Sequence, residues 1–503
     1  MSREERDRRD QRGYVMSDAS EKPTVSRFNA RVVLISVGAA LGGFLFGFDT
    51  SVINGAVESI NKHYDITNTG LQGFAVSSAL LGCAVGAWFA GGVANRLGRI
   101  PVMVIASFLF LASSILTGLA PNLPLFILWR VVGGLGVGAA SVIAPAYIAE
   151  VSPARVRGRL GSLQQLAIVL GIFVALLSDN LLANTAGSAS DTLWWGLEAW
   201  RWMFFVTAIP AAVYGIAALG LPESPRYLVH KGDYDKASRV LHDFSGELDV
   251  NLKIQEIEKT IDKEKRESLG DLRGNRFGLK PVVWVGILLS VFQQFVGINV
   301  IFYYSSSLWQ SVGFDESDAL LESVITSITN IVVTVVAILL VDKVGRRPML
   351  LVGSAGMGVC LTTMAIAFSQ ATGSGDNPSL EGAWGTVALV AANGFVVSFG
   401  ATWGPLVWVL LGEMFPNSIR ATALAVAAAA QWLANFFIST TFPKFSEIGL
   451  TFAYGFYAFF AILSFFFVWW QVPETKGREL EDMSDDARVV RRGGKTQVVE
   501  GAA

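Results

Sequence analysis

A carboxylate inside an otherwise apolar run is the residue whose placement most needs a chemical reason. Asp49 stands in Phe46-Gly47-Phe48-Asp49-Thr50, and a charge within a membrane-length segment is costly enough to be functional by default. Its natural partner is Arg130, at the start of the glycine-rich stretch from Arg130 to Gly138. Burial penalises the charged carboxylate, whereas a nearby guanidinium favours it. A carboxylate balanced between the two could exchange a proton as its surroundings alternate between two aqueous sides. The competing reading is a permanent structural ion pair.

A second group consists of amides in apolar segments: Gln165, Gln293, Gln294, Asn299, Asn330 and Gln431. Each side-chain amide both donates and accepts, which suits the adjacent hydroxyls of a sugar or polyol. Trp408 and Trp432 could offer flat apolar faces and indole donors to a pyranose ring. Amides also join helices to one another in membranes, and a lone glutamine would be read that way. Gln293, Gln294 and Asn299 cluster around roughly one helical face, which favours binding.

A third group is acid–base and occurs twice. Glu150-x-x-Pro153-x-x-x-Arg157 and Glu413-x-x-Pro416-x-x-x-Arg420 share one internal spacing. Arg96 and Arg99 precede the first copy, with Glu223 after it; Arg346 precedes the second, with Glu474 after it. Basic clusters at a membrane rim serve topology in any such protein, yet topology does not require the shared spacing. These clusters could latch two halves of a molecule together on one side and break when that side opens.

The elements that must position these groups are membrane spans. Only 16% of the 503 residues are charged and 52% are hydrophobic, a balance that belongs to the membrane class. The net charge of −2 predicts no nucleic-acid partner. A hydrocarbon core about 30 Å thick needs about twenty mostly apolar residues per helix. Such runs fall at 31–54, 71–94, 101–120, 122–148, 161–183 and 200–221, then at 281–308, 319–341, 348–370, 384–412, 421–443 and 450–472. The fold class is therefore all-α integral membrane, with twelve spans as two pseudo-symmetric six-helix bundles, 31–221 and 281–472. Between them lies a charged helical linker, 222–280, and the ends are tails, 1–30 (expected to be disordered) and 473–503.

Basic residues concentrate in alternate connections, at Arg96 and Arg99, at Arg155, Arg157 and Arg159, in the central stretch, at Lys343, Arg346 and Arg347, and at Arg420. The positive-inside bias makes that set, and both termini, cytoplasmic. The acid–base elements recur about 250 residues apart, which suits two parallel repeats with a binding site between them near mid-membrane. Cys83 and Cys360 read as small hydrophobes with no disulfide, and His63, His230 and His242 form no metal constellation. No Walker-type phosphate loop occurs, so ATP drive is not expected, and no cofactor is implied.

Five motifs stand in order at the span ends: Gly91-x-x-x-Asn95-Arg96-x-Gly98-Arg99, Pro145-x-Tyr147-x-x-Glu150-x-x-Pro153, Pro222-Glu223-Ser224-Pro225-Arg226, Gln293-Gln294-x-x-Gly297-x-Asn299 and Pro473-Glu474-Thr475-Lys476-Gly477. In these, from Gly42 to Gly477, the sequence resembles the sugar-porter family of the major facilitator superfamily. Asn95, Ile100 and Ala421 depart from the residues usual at their positions. The resemblance assigns Gln165, Gln293, Gln294, Asn299, Asn330, Trp408 and Gln431 to sugar contacts, with Phe302 and Trp432 lining the cavity. It puts Tyr303, Tyr304, Phe399 and Gly404 near an extracellular gate or hinge. An acid at the Asp49 position resembles that of proton-coupled symporters; passive facilitators commonly carry a neutral residue there.

The leading expectation is a plasma-membrane proton symporter for a monosaccharide, D-glucose by preference, with protons and membrane lipid as its partners. A monomer would contain a complete pathway. Facilitated diffusion is the alternative, or symport of xylose, galactose or myo-inositol. A nutrient sensor would want a longer tail, and a membrane enzyme would want a soluble catalytic domain or clustered carboxylates at a span end; neither is evident, and no enzyme activity is expected.

Overall fold

The computed structural model describes residues 30–476 apart from 154–156, 246–248, 265–268, 275–277, 372–379, 381, 417 and 418. The expected tail 1–29, Arg155, Gly477 and the rest of the C-terminal tail lie outside the described residues, as does the side chain of Arg157.

The first half comprises α1 (Ala30–Val52), the short α2 (Val57–His63), α3 (Thr69–Leu97), α4 (Arg99–Gly118), α5 (Leu123–Val151), α6 (Arg157–Ala186) and α7 (Ala199–Leu219). Three short linker helices follow, α8 (Pro225–Lys231), α9 (Tyr234–Val240) and α10 (Val250–Glu264). The second half holds α11 (Pro281–Phe295), α12 (Ile298–Gln310), α13 (Glu316–Val344), α14 (Arg346–Ser369), α15 (Trp384–Gly400), α16 (Trp403–Met414), α17 (Arg420–Ile448) and α18 (Leu450–Gln471). Among the described residues, twelve helical units are long and apolar enough to cross a membrane. In such a core each backbone N–H and C=O must be satisfied within the segment, which helices achieve. Leu34, Phe108, Ile216 and Val352 point outward, each more than 60% exposed, as side chains facing lipid do.

Two apolar runs that read as single spans are broken. One ends as α11 at Phe295 and restarts as α12 after Gly297, whose φ of +83° favours glycine. The ring of Tyr457 fills the space where a Cβ would sit. The other breaks between Gly400 and Trp403, where Thr402 takes φ −137° and ψ −85°. Hydropathy averaged over a span does not register such breaks, because each run as a whole stays apolar despite the amides beside Gly297.

Helix approach in the first half depends on the glycine-rich stretch. Gly134 and Gly138 of α5 face the backbone carbonyls of Ala79 and Cys83 on α3, while Gly82 and Gly86 of α3 face those of Val131 and Leu135. These are two small-x-x-x-small pairs laid against each other, a geometry that replaces the missing hydrophobic drive between helices in lipid with close packing. The linker builds its own small core from Leu228, Val229, Ala237, Val240, Leu241 and Ile254. Ser224 and Asp233 cap α8 and α9, and left-handed Gly232 separates them.

A Gly134→Val substitution is expected to lower stability by about 1–3 kcal/mol through overpacking. Gly91→Ala, which meets open space, should be neutral within about 0.5 kcal/mol. Thermal melts of the detergent-solubilised protein compare the two, and equal melting temperatures would contradict the packing argument.

Candidate functional site

Asp49 and Arg130 meet as expected. Arg130 Nη1 lies 2.7 Å from Asp49 Oδ1, and both side chains are buried. The guanidinium also lies over the ring of Phe204, 5.7 Å from its centroid. Yet the pair is incomplete, because Asp49 Oδ2 and Arg130 Nε are buried without a hydrogen-bond partner. A bidentate pair would have used both oxygens; this one leaves an acceptor open on the carboxylate.

The amides of the second half form a chain. Asn299 Nδ2 donates to Gln294 Oε1, Gln294 Nε2 donates to Gln293 Oε1 at 3.3 Å, and Gln293 Nε2 donates to the Trp403 carbonyl at 3.0 Å. That carbonyl opens α16, so the chain links the break in one span to the break in the other. Gly404 and Phe399 flank the second break, where a Cβ added at Gly404 would lie 3.4 Å from the Phe399 ring, and Asn330 of α13 packs against Gly400. Gln431 on α17 keeps a buried Oε1 with no partner, an acceptor open to a ligand hydroxyl.

Aromatic contacts bring α1 to the second half. Phe46 meets Trp432 edge-on at 5.3 Å between ring centroids. Tyr303 hydroxyl accepts from Asn435, and Tyr304 hydroxyl donates to the Ser439 carbonyl at 2.8 Å. Phe302, Tyr303, Tyr304 and Phe399 are all buried. Gln165 is half-buried and Trp408 is 40% exposed; neither joins the amide chain. On the helix that carries Trp408, Trp403 is the anchored indole, donating to Leu350 O and Ser354 Oγ.

The repeated acid–base clusters superimpose in design. Arg99 Nε and Nη2 donate to Glu150 at 2.9 and 2.8 Å; Arg346 Nε and Nη2 donate to Glu413 at 3.1 and 2.8 Å. Ser224 and Thr475 hydroxyls donate to the same two glutamates. Glu223 accepts the backbone N–H groups of Arg99 and Ile100, and Glu474 those of Arg346 and Arg347. Both glutamates thus cap a helix N-terminus, where anions are favoured. Arg96 is exposed, with its carbonyl accepting from Tyr227, and Arg420 donates to the Phe415 carbonyl. Each bidentate pair joins spans of the same half. Among the described residues, these two pairs therefore brace each half from within.

Hydrogen bonds that do join the halves lie at the opposite face. Asn54, in the turn after α1, donates to Ser305 Oγ at 2.9 Å and Ser323 Oγ at 3.2 Å, and accepts from Ser306 N at 3.0 Å. Ala189 N donates to Glu316, Ser317 to Asn184, and Thr69 to Glu447. Sequence reading missed this seam, because small polar residues in helices look like background. It also passed over Asp179, which the same rule that found Asp49 would have flagged.

The arrangement is a pair of braced helical bundles meeting at a buried acid–base pair and an amide network, which defines a membrane transporter. The family profile described as Sugar (and other) transporter matches residues 35–487. The chain is 56% identical over 467 residues to the "Glucose transport protein" of Synechocystis sp., covering 92% of this chain and 99% of that one. It is 37% identical over 492 residues to the "D-xylose-proton symporter" of Escherichia coli, covering 91% and 96%. Among solved structures, the partially occluded inward open conformation of the xylose transporter XylE from E. coli matches with a TM-score of 0.77 and 36% identity, over 90% of this chain and 100% of that one. The chain belongs to the sugar porter family of the major facilitator superfamily.

Gln431→Ala is expected to weaken sugar binding about tenfold, the worth of roughly one hydrogen bond, without moving the melting temperature. Gln293→Ala should both weaken binding and lower the melting temperature, because its amide also holds α16. Sugar titration of tryptophan fluorescence beside a thermal melt separates the two; matching effects from both substitutions would contradict the assignment.

Proposed function

We propose that the protein is a proton-coupled symporter that imports a monosaccharide, D-glucose by preference, through alternating access. The observation that carries this reading is the buried, half-satisfied Asp49–Arg130 pair beside the contact between the halves. Protonation discharges the carboxylate and loosens the pair; re-forming the pair expels the proton to whichever side is then open. The relatives support both parts of the reading, one being named a glucose transport protein and another a D-xylose-proton symporter.

The cargo would sit between the halves. Gln293, Gln294, Asn299, Asn330 and Gln431 would bind its hydroxyls, with Gln165 and Trp408 from the walls. Phe302 and Trp432 would line the cavity. Tyr303, Tyr304, Phe399 and Gly404 would move with the gate. The bidentate pairs Arg99–Glu150 and Arg346–Glu413, with Glu223 and Glu474, would keep each half rigid while it rocks. Arg96, Arg157 and Arg420 would complete that rim. The rim would face the cytoplasm of a plasma membrane, with both termini on that side, and each monomer would contain a full pathway. The chain would carry its cargo unaltered, with no cofactor and no nucleic-acid partner.

One proton crossing about 100 mV supplies about 2.3 kcal/mol, enough for roughly 50-fold accumulation of an uncharged sugar. Asp49→Asn is therefore expected to abolish uphill accumulation of labelled D-glucose in energised vesicles while counterflow exchange persists. Sugar-dependent alkalinisation of a lightly buffered suspension should vanish in the same variant. Concentration of sugar against its gradient by that variant would sink the coupling assignment. Competition by unlabelled xylose, galactose and myo-inositol ranks the cargo.

A further inference from the structure

Asp179 on α6 is a second carboxylate within a span, and the exchange just described does not use it. It is fully buried, and neither of its oxygens has a hydrogen-bond partner. Asn180 Nδ2, on the next residue, is also buried and unpartnered. The turn Asn54–Ala56 lies directly over it: a Cβ on Gly55 would stand 2.7 Å from Asp179 Cβ and 3.0 Å from its carboxyl carbon. The Gly55 amide faces the carboxyl without completing a hydrogen bond. That same turn carries Asn54, whose bonds to Ser305, Ser306 and Ser323 join the halves.

The elements packed on α6 are α1, α5, α7, α13 and this turn. Their charged groups are engaged elsewhere. Asp49 of α1 pairs with Arg130 of α5. Arg201 of α7 donates to the Gly118 carbonyl and contacts His63 and Glu198. On α13, Glu316 accepts from Ala189 N and Glu322 from Asn393 Nδ2, while Asp318 is exposed. Glu58, just after the turn, is exposed. Arg31, Glu150, Arg157, Arg159, Asp342 and Lys343 belong to the opposite, arginine-rich ends of their helices. Among the described residues, no cation is therefore at hand to balance a charged Asp179.

A bare carboxylate in such surroundings costs several kcal/mol, and the group escapes that cost by taking a proton. We propose that Asp179 is a second proton-binding site, placed at the gate, which must be protonated for the Asn54 face to close. When the turn leaves Ser305 and Ser306, water reaches the carboxyl and the proton returns to the side it came from. The site therefore sets how readily the gate closes without adding to the proton-to-sugar ratio. It rests on the alternating-access reading, and it is separate from Asp49.

Equilibrium exchange of labelled D-glucose, with the inner pH fixed and the outer pH varied, tests it. In an Asp49→Asn background, exchange should slow as outer pH rises, approaching about tenfold per unit where closure limits the rate. Adding Asp179→Asn, which is close in shape and permanently neutral, should make the profile flat; Asp179→Ser should do the same. A flat profile with Asp179 intact, or an unchanged slope without it, overturns the proposal. Should the double variants fail to exchange, dicyclohexylcarbodiimide labelling of the otherwise unaltered protein decides. Modification of the Asp179 peptide that declines as outer pH rises supports the site; absence of labelling at every pH refutes it. If that protein exchanges no sugar at all, the transport reading fails, and the labelling still reports on Asp179.

Discussion

The integrity of each half depends on one bidentate pair, Arg99–Glu150 in the first and Arg346–Glu413 in the second. Each arginine leaves the N-terminus of one helix and binds a glutamate at the C-terminal end of another. Ser224 or Thr475 then ties in the segment that ends the half. Exposed ion pairs are worth little, but these are largely shielded, bidentate and reinforced by helix capping. Removing one partner would strand the other, which is the costly case for buried charge. Rigid halves are what allow a small change at the centre to become a large change at either face.

The centre is poised by contrast. Asp49 and Arg130 share one short contact and leave an oxygen and a nitrogen unsatisfied. The amide chain from Asn299 to the Trp403 carbonyl runs between two helix breaks, so ligand hydroxyls would meet a network already coupled to the two most adjustable stretches of backbone. The proposed site and the two helix breaks thus share residues.

Much of this was legible in the sequence. Hydropathy placed the twelve spans to within a few residues, because a bilayer sets the length of an apolar run. Asp49, Arg130 and the amides stood out because polar groups there are expensive. The breaks at Gly297 and Thr402 were not legible, since each run is apolar enough on average to read as one continuous span. The acid–base clusters were partly legible: Arg99, Glu150, Arg346 and Glu413 stood out by their repeated spacing, but spacing could not say which of them pair. The seam at Asn54 rests on serines that are common in any helix, and only tertiary contact distinguishes them.

The order in which the braces close has a consequence for how the chain is made. The Arg99 backbone N–H and the Glu150 carboxylate wait for Glu223 and Ser224, which follow the last span of the first half, and those of Arg346 and Glu413 wait in the same way for Glu474 and Thr475. The first bundle can therefore lock as soon as Pro222 has been followed by a few more residues, before any helix of the second has emerged. Biogenesis becomes two independent closures in sequence, each signalled by its own final carboxylate, with the polar linker as the interval between them.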